Sequence, residues 1–283
     1  MASTPDASDL PDAGAAGTAI TGDSTDGPGT HANAHPRQGP AFIMLALSRA
    51  MSLRGQGELV NRMVTELATE IIEGRLPAGH ELTSVYLGRR FGTSRTPVRE
   101  ALAVLQREGL VEAQPRRRPR VATLTLDEIR DLYQIRAHLY SLVSERIVAD
   151  ADQREIARLD GVLMRMKNAV QAGDSLGYFY LTVEFRNVEA EVCPNRRVGS
   201  IIESLGLRIY QLRRYGLSLP GRIEVSYRDY SRLREAYGDR DRELAVAVAR
   251  SLMWKALAVI EANWEPDAAE ELTNRAASDN HRS

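Results

Sequence analysis

A chain of 283 residues, 43% of them hydrophobic, has room for two ordinary domains and enough apolar side chains to give each a core. Its longest candidate for a membrane segment, Ala41 to Leu47, is far shorter than the roughly 20 apolar residues a spanning helix needs, so no membrane partner is expected and the chain is placed in the cytoplasm. The formal net charge of -1 conceals an uneven distribution, with twelve Arg against eight Glu over residues 54–123 and two Arg against five Asp over the first 53.

From Met1 to about Gln38 the sequence is rich in Ala, Gly, Asp, Thr, Ser and Pro and has no apolar period, so burial cannot offset its ordering entropy. Residues 1–56 are read as a disordered tail, with a translation start at Met44 or Met51 as the alternative to a functional one. From Glu58 to Glu73, Leu59, Met63, Leu67 and Ile71 recur at helical spacing with Val60, Val64 and Ile72 beside them, and Gly74 ends the run. Leu76-Pro77-Ala78-Gly79 predicts a turn, and a short helix from Ser84 to Phe91 is expected to bury Leu87 and Phe91. After Gly92-Thr93 a third helix starts within Ser94-Arg95-Thr96-Pro97, where Ser94 or Thr96 can cap it and Pro97 is tolerated in the first turn. It turns Val98, Leu102 and Leu105 inward and stops at Gly109. Two extended runs, Leu110 to Ala113 and Arg120 to Thr123, flank the basic stretch Gln114 to Pro119. Residues 57–123 therefore read as a winged helix-turn-helix.

Beyond Thr123 the pattern is helical throughout. Thr125 and Glu128 form a capping box for a helix reaching about Ala149, with Ile129, Arg136, Leu139, Val143 and Ile147 near one face. Further helices are expected at about 152–172, 175–191, 196–215, 222–237 and 241–263, separated by Gly, Pro, Asn and Asp. The fold class is thus mainly α: a winged helix-turn-helix followed by an all-helical bundle over 124–265, with a flexible tail over 266–283.

A helix that reads the major groove needs basic and hydroxyl side chains in its first turns. Arg95, Thr96 and Arg99 supply them, and the two arginines lie one turn apart, away from Leu102 and Leu105. Arg95 or Arg99 is assigned to a guanine edge, since a guanidinium pairs with it bidentately, and Ser94 and Thr96 to phosphates. The hairpin tip Arg116-Arg117-Arg118 is suited to neutralising phosphates or entering the minor groove.

The run Gly92-Thr93-Ser94-Arg95-Thr96-Pro97-Val98-Arg99-Glu100-Ala101-Leu102, followed by Glu108-Gly109-Leu110-Val111, closely resembles the signature of the GntR family of bacterial regulators. Ile71 to Gly79 resembles that family's first helix and turn. Arg136 in the first long helix, with the Phe185…Asn195 and Gly238-Asp239 landmarks, resembles the FCD effector domain of the FadR-like subfamily. The resemblance implies a homodimer that binds a short palindrome of double-stranded operator DNA and responds to a small-molecule effector. A repressor released by its ligand is the commoner pattern it implies, with an activator or a protein-binding winged-helix adaptor as alternatives. This chain departs from the family at the wing, where Arg118 stands in place of a usual glycine.

A second departure concerns metal. Many FCD domains hold a divalent ion with one Asp and three His, but the aligned positions here are Thr182, Arg186, Tyr230 and Leu252. No histidine lies between His138 and His281, so a three-imidazole site cannot be built and neither metal nor cofactor is expected. Arg136 and Arg186 become the candidates for gripping a carboxylate or phosphate effector, with Thr182 and Tyr230 completing the effector site. An enzyme is not expected: His80 and His138 have no recognisable catalytic partner, no glycine loop has phosphate-cradling spacing, and the single Cys193 reads as a half-buried small residue.

Overall fold

The computed structural model describes Gly55, residues 57–114 and residues 117–264, which belong to one unit spanning His35–Ser283. Apart from Gly55, the expected disordered segment 1–56 lies outside the described residues, as do Arg116 and the tail from 266.

The first helix, α1 (Glu58–Ile72), buries Val60, Met63, Val64, Leu67, Ile71 and Ile72 along one stripe. Full burial of an aliphatic side chain of this size is worth about 1.5–3 kcal/mol, which makes the stripe the main anchor of the N-terminal fold. In α2 (Ser84–Phe91) the Thr83 side chain accepts from the Tyr86 N–H, and Leu87 and Phe91 turn inward. Arg90 clips α2 to α1 through both Glu70 oxygens, at 2.8 and 2.5 Å. The chain leaves α2 through Gly92, whose left-handed backbone (φ 63°, ψ 38°) reverses direction without a Cβ clash.

Helix α3 (Arg95–Arg107) packs Val98, Ala101, Leu102, Val104 and Leu105 against α1 and α2. The expected cap by Ser94 or Thr96 is absent: Ser94 is the N-cap residue, but no side chain bonds to the first-turn amides. Those amides keep their donors free of side-chain caps at an exposed helix end. The wing is shorter than expected, with β1 (Val111–Glu112) antiparallel to β2 (Arg120–Val121) in the register Val111 to Val121 and Glu112 to Arg120. Glu81 adds a bridge to Arg120.

Among the described residues seven helices follow: α4 (Leu126–Asp150), α5 (Gln153–Gln171), α6 (Ser175–Val192), α7 (Arg196–Ser204), α8 (Arg208–Ser218), α9 (Arg222–Gly238) and α10 (Arg242–Asn263). The Thr125/Glu128 capping box opens α4, and a second box, Asp152/Glu155, opens α5. Ion pairs Arg130–Glu261 and Glu145–Arg242 at opposite ends make α4 and α10 antiparallel. Arg165–Glu184 and Arg158–Glu191 do the same for α5 and α6, and Arg234–Asp160 ties α9 to α5. Exposed pairs of this kind are each worth about 0–1 kcal/mol, so they set register while the buried Ile129, Tyr133, Val143, Ile147, Phe185, Leu233 and Ile260 hold the bundle.

One expected helix, 196–215, is two. The chain breaks at Gly206, where φ is +81° and a Cβ would lie 3.0 Å from the Glu108 carbonyl oxygen. Gly206 ends the helix in the left-handed conformation, and its turn packs against the Glu108 carbonyl of the DNA-binding end of the fold. Gly206→Ala should therefore destabilise the protein by about 1–2 kcal/mol, from left-handed strain alone, and urea unfolding would read the change.

Candidate nucleic-acid interface and internal cavity

At the start of α3 the side chains of Ser94, Arg95, Thr96 and Arg99 are all exposed, while Val98, Leu102 and Leu105 are buried. Neither Arg95 nor Arg99 forms an ion pair with a described residue. Two cations one turn apart thus stand beside free first-turn amides, an arrangement that attracts phosphate and base-edge acceptors.

The wing divides its arginines. Arg117 is exposed at the tip, whereas Arg118 donates to Glu81 at 2.8 Å and Arg120 donates to Glu112. Arg118 and Glu81 are both well exposed, so a phosphate can compete for this guanidinium. Exposed Val85, Tyr86 and Arg89 on α2 were missed by sequence reasoning. The signal was an aromatic and an arginine away from the Leu87/Phe91 stripe, on the helix that crosses the backbone in this motif.

Inside the bundle a cavity of about 40 Å³ lies among α4, α6, α8, α9 and α10. Its walls include Arg136, Arg213 and Arg222, the hydroxyl-bearing Thr182, Ser226 and Tyr230, and apolar Leu212, Leu252 and Met253. Of the four effector-site residues read from sequence, Arg136, Thr182 and Tyr230 line this cavity. Arg186 stands behind the wall, its guanidinium 4.1 Å from the Tyr140 ring centre and 5.0 Å from that of Tyr230. It donates to Glu189 Oε2 at 2.7 Å, and the Tyr237 hydroxyl donates to Glu189 Oε1 at 2.6 Å while its oxygen lies 2.8 Å from Ser144 Oγ. Arg213 and Arg222 escaped sequence reasoning because each looks like one more arginine on a charged helix.

Three guanidiniums act on the buried Tyr140 phenol. Burial alone would raise the Tyr140 phenol, yet the guanidiniums of Arg213, Arg186 and Arg136 outweigh it and hold the group below its ordinary pKa. A divalent metal does not fit: the aligned positions offer a hydroxyl, a guanidinium, a phenol and an alkyl chain. No group of three or more His, Cys, Asp or Glu able to hold a metal occurs among the described residues. A larger cleft of about 400 Å³ lies between α1 and α8, where Glu73 and Arg214, one charge of each sign, are the charged wall residues.

The two halves meet through the Tyr180 hydroxyl, which donates to Glu73 at 2.7 Å, and through Arg208 of α8, which donates to the Gly109 carbonyl just beyond α3. Among the described residues, no helix is long and apolar enough to cross a membrane.

Comparison with known proteins matches residues 59–121 to the bacterial regulatory proteins of the gntR family and residues 131–254 to the FCD domain. The chain is similar to an uncharacterized HTH-type transcriptional regulator, YdhC, of Bacillus subtilis, at 26% identity over 64% of this chain and 81% of that protein. It is also 26% identical to the gluconate operon transcriptional repressor of B. subtilis, over 61% of this chain and 70% of that one. Among solved structures, McbR/YncC of E. coli superposes with a TM-score of 0.62 at 21% identity, covering 74% of this chain and 100% of that one, which shows a common fold.

Proposed function

This chain is a GntR-family regulator with an FCD domain, and on that premise we propose that it represses transcription from the cytoplasm. In this reading it holds operator DNA as a homodimer and releases it when a small anionic metabolite enters the cavity. The observation that carries the DNA-reading part is the exposed Arg95/Arg99 turn, without an ion pair to any described residue, beside amides that no side chain caps. The similar gluconate operon repressor supports the direction of control.

Ligand control needs one element whose position both sites bias. Helix α8 has that character, since it carries Arg213 in the cavity wall and Arg208 bonded to the carbonyl that follows α3. A ligand that draws on Arg213 would shift α8 and with it the seat of the DNA-reading helix.

The dimer has a candidate face on α4, where Ile135 and Leu142 are exposed seven residues apart. The ion-pair register between α4 and α10 puts exposed Trp254 level with Ile135 along the bundle. Leu142→Glu should convert a dimer to a monomer in sedimentation velocity. A dimer that survives the substitution would place the interface elsewhere.

Fluorescence anisotropy against DNA from upstream of the gene, beside scrambled DNA and at two salt concentrations, tests the reading. Selective binding that weakens steeply with salt supports it. If neither this DNA nor a random-sequence selection yields a preferred site, the protein-binding adaptor replaces it.

A further inference from the structure

The cavity holds more positive charge than its surroundings neutralise. Arg136, Arg186, Arg213 and Arg222 are each at least nine-tenths buried, at 1, 4, 9 and 7% exposure. The buried carboxylates described in these helices are Glu189 and Asp229. Glu189 is taken by Arg186 and Tyr237, and Asp229 receives both its bonds from Lys255, at 2.7 and 2.9 Å. The three wall arginines are left without a carboxylate among the described residues.

Their donors are idle as well. Nε and Nη1 of Arg136, Nη1 of Arg213 and Nε of Arg222 are buried with no hydrogen-bond partner among the described residues. The Tyr133 ring, 4.7 Å from the Arg136 guanidinium, offsets part of that cost but accepts no in-plane hydrogen bond. A guanidinium cannot shed its proton to escape burial, and no described carboxylate is left to neutralise these three, so a bound anion would supply the missing charge.

We propose that this cavity binds a short-chain dicarboxylate directly, its two carboxylates held by Arg136, Arg213 and Arg222 with no metal between. The inference rests on reading the C-terminal helices as an effector domain. Two charges are needed because three guanidiniums face the ligand. A carbon skeleton is favoured over a bare inorganic anion because Leu212, Leu217, Leu252, Met253 and Ala256 form the apolar part of the wall. Since a cavity of about 40 Å³ has to widen to admit such an anion, the skeleton must be short.

Malonate, succinate, acetate and inorganic phosphate, at matched ionic strength and in EDTA, are the probes. Calorimetry should give malonate or succinate an affinity at least ~10-fold above acetate, because the second carboxylate adds charge-assisted bonds, with EDTA making no difference. Arg213→Met should raise the unfolding temperature of the ligand-free protein by removing an unpaired buried charge, and abolish the dicarboxylate-induced shift. Arg222→Met provides the same comparison if the first variant does not fold.

Equal binding of acetate, a requirement for added divalent metal, binding of phosphate alone, or binding of none of the probes overturns the proposal. So does a methionine variant that unfolds earlier yet still binds. Operator binding by the ligand-free protein is measured alongside: if it is intact while dicarboxylates fail, this inference falls alone. If operator binding is absent while dicarboxylates stabilise, the regulator reading falls and the site stands.

Discussion

Replacing Arg95 and Arg99 together by Ala is expected to lower operator affinity by on the order of 10²-fold or more, while thermal unfolding stays unchanged. Both side chains are exposed and form no ion pair with a described residue, so their loss removes no packing and strands no buried partner. One bidentate contact to guanine is worth about 1–3 kcal/mol, and a phosphate contact adds a salt-dependent increment. The single variants separate the roles. The arginine that reads a base relaxes specificity at one position, whereas the one that meets phosphate weakens all sequences alike and reduces the salt slope by about one. Anisotropy titrations over a salt series make the measurement, and undiminished binding by the double variant would move the DNA-reading surface away from this turn.

Glu189→Gln is the stability prediction of largest expected effect. Glu189 is fully buried, and its two oxygens serve Arg186 and Tyr237. The amide keeps the volume but removes the charge, leaving Arg186 stacked on Tyr140 and Tyr230 with no counter-ion. Breaking one side of a buried pair costs about 3–5 kcal/mol, which for a chain of this size lowers the unfolding temperature by roughly 10 °C. Tyr237→Phe is the milder control: it deletes one donor to Glu189 and leaves the ion pair, for a loss of about 1–2 kcal/mol. Scanning calorimetry compares the two, and equal stability of Glu189→Gln and the wild type would mean that Arg186 is neutralised by another group.

These two predictions fall on opposite sides of what sequence can reveal. Arg95 and Arg99 were legible because the helix-turn-helix is a local device. A glycine turn, a first-turn proline and an inward Val98/Leu102/Leu105 stripe fix which side of α3 faces out, and two arginines on that side follow. Glu189 was not legible, since on α6 it is one acid among several, and only the arrival of Tyr237 from α9, 48 residues later, shows it to be buried. Arg118 was half legible: its place at the wing tip followed from the hairpin, but its pairing with Glu81, 37 residues earlier, did not.

The same boundary runs through the fold. The amino-acid sequence by itself determined the winged helix-turn-helix, the capping box that opens α4 and most of the helix ends, because hydrophobic period and caps act within a few residues of one another. Only the tertiary structure decided that the turn at Gly206 seats against the Glu108 carbonyl of a distant segment. It alone brought Arg136, Arg213 and Arg222, from three separate helices, around one cavity. A buried charge takes its meaning from the partners that surround it, and those partners are assembled by packing between helices far apart in the chain.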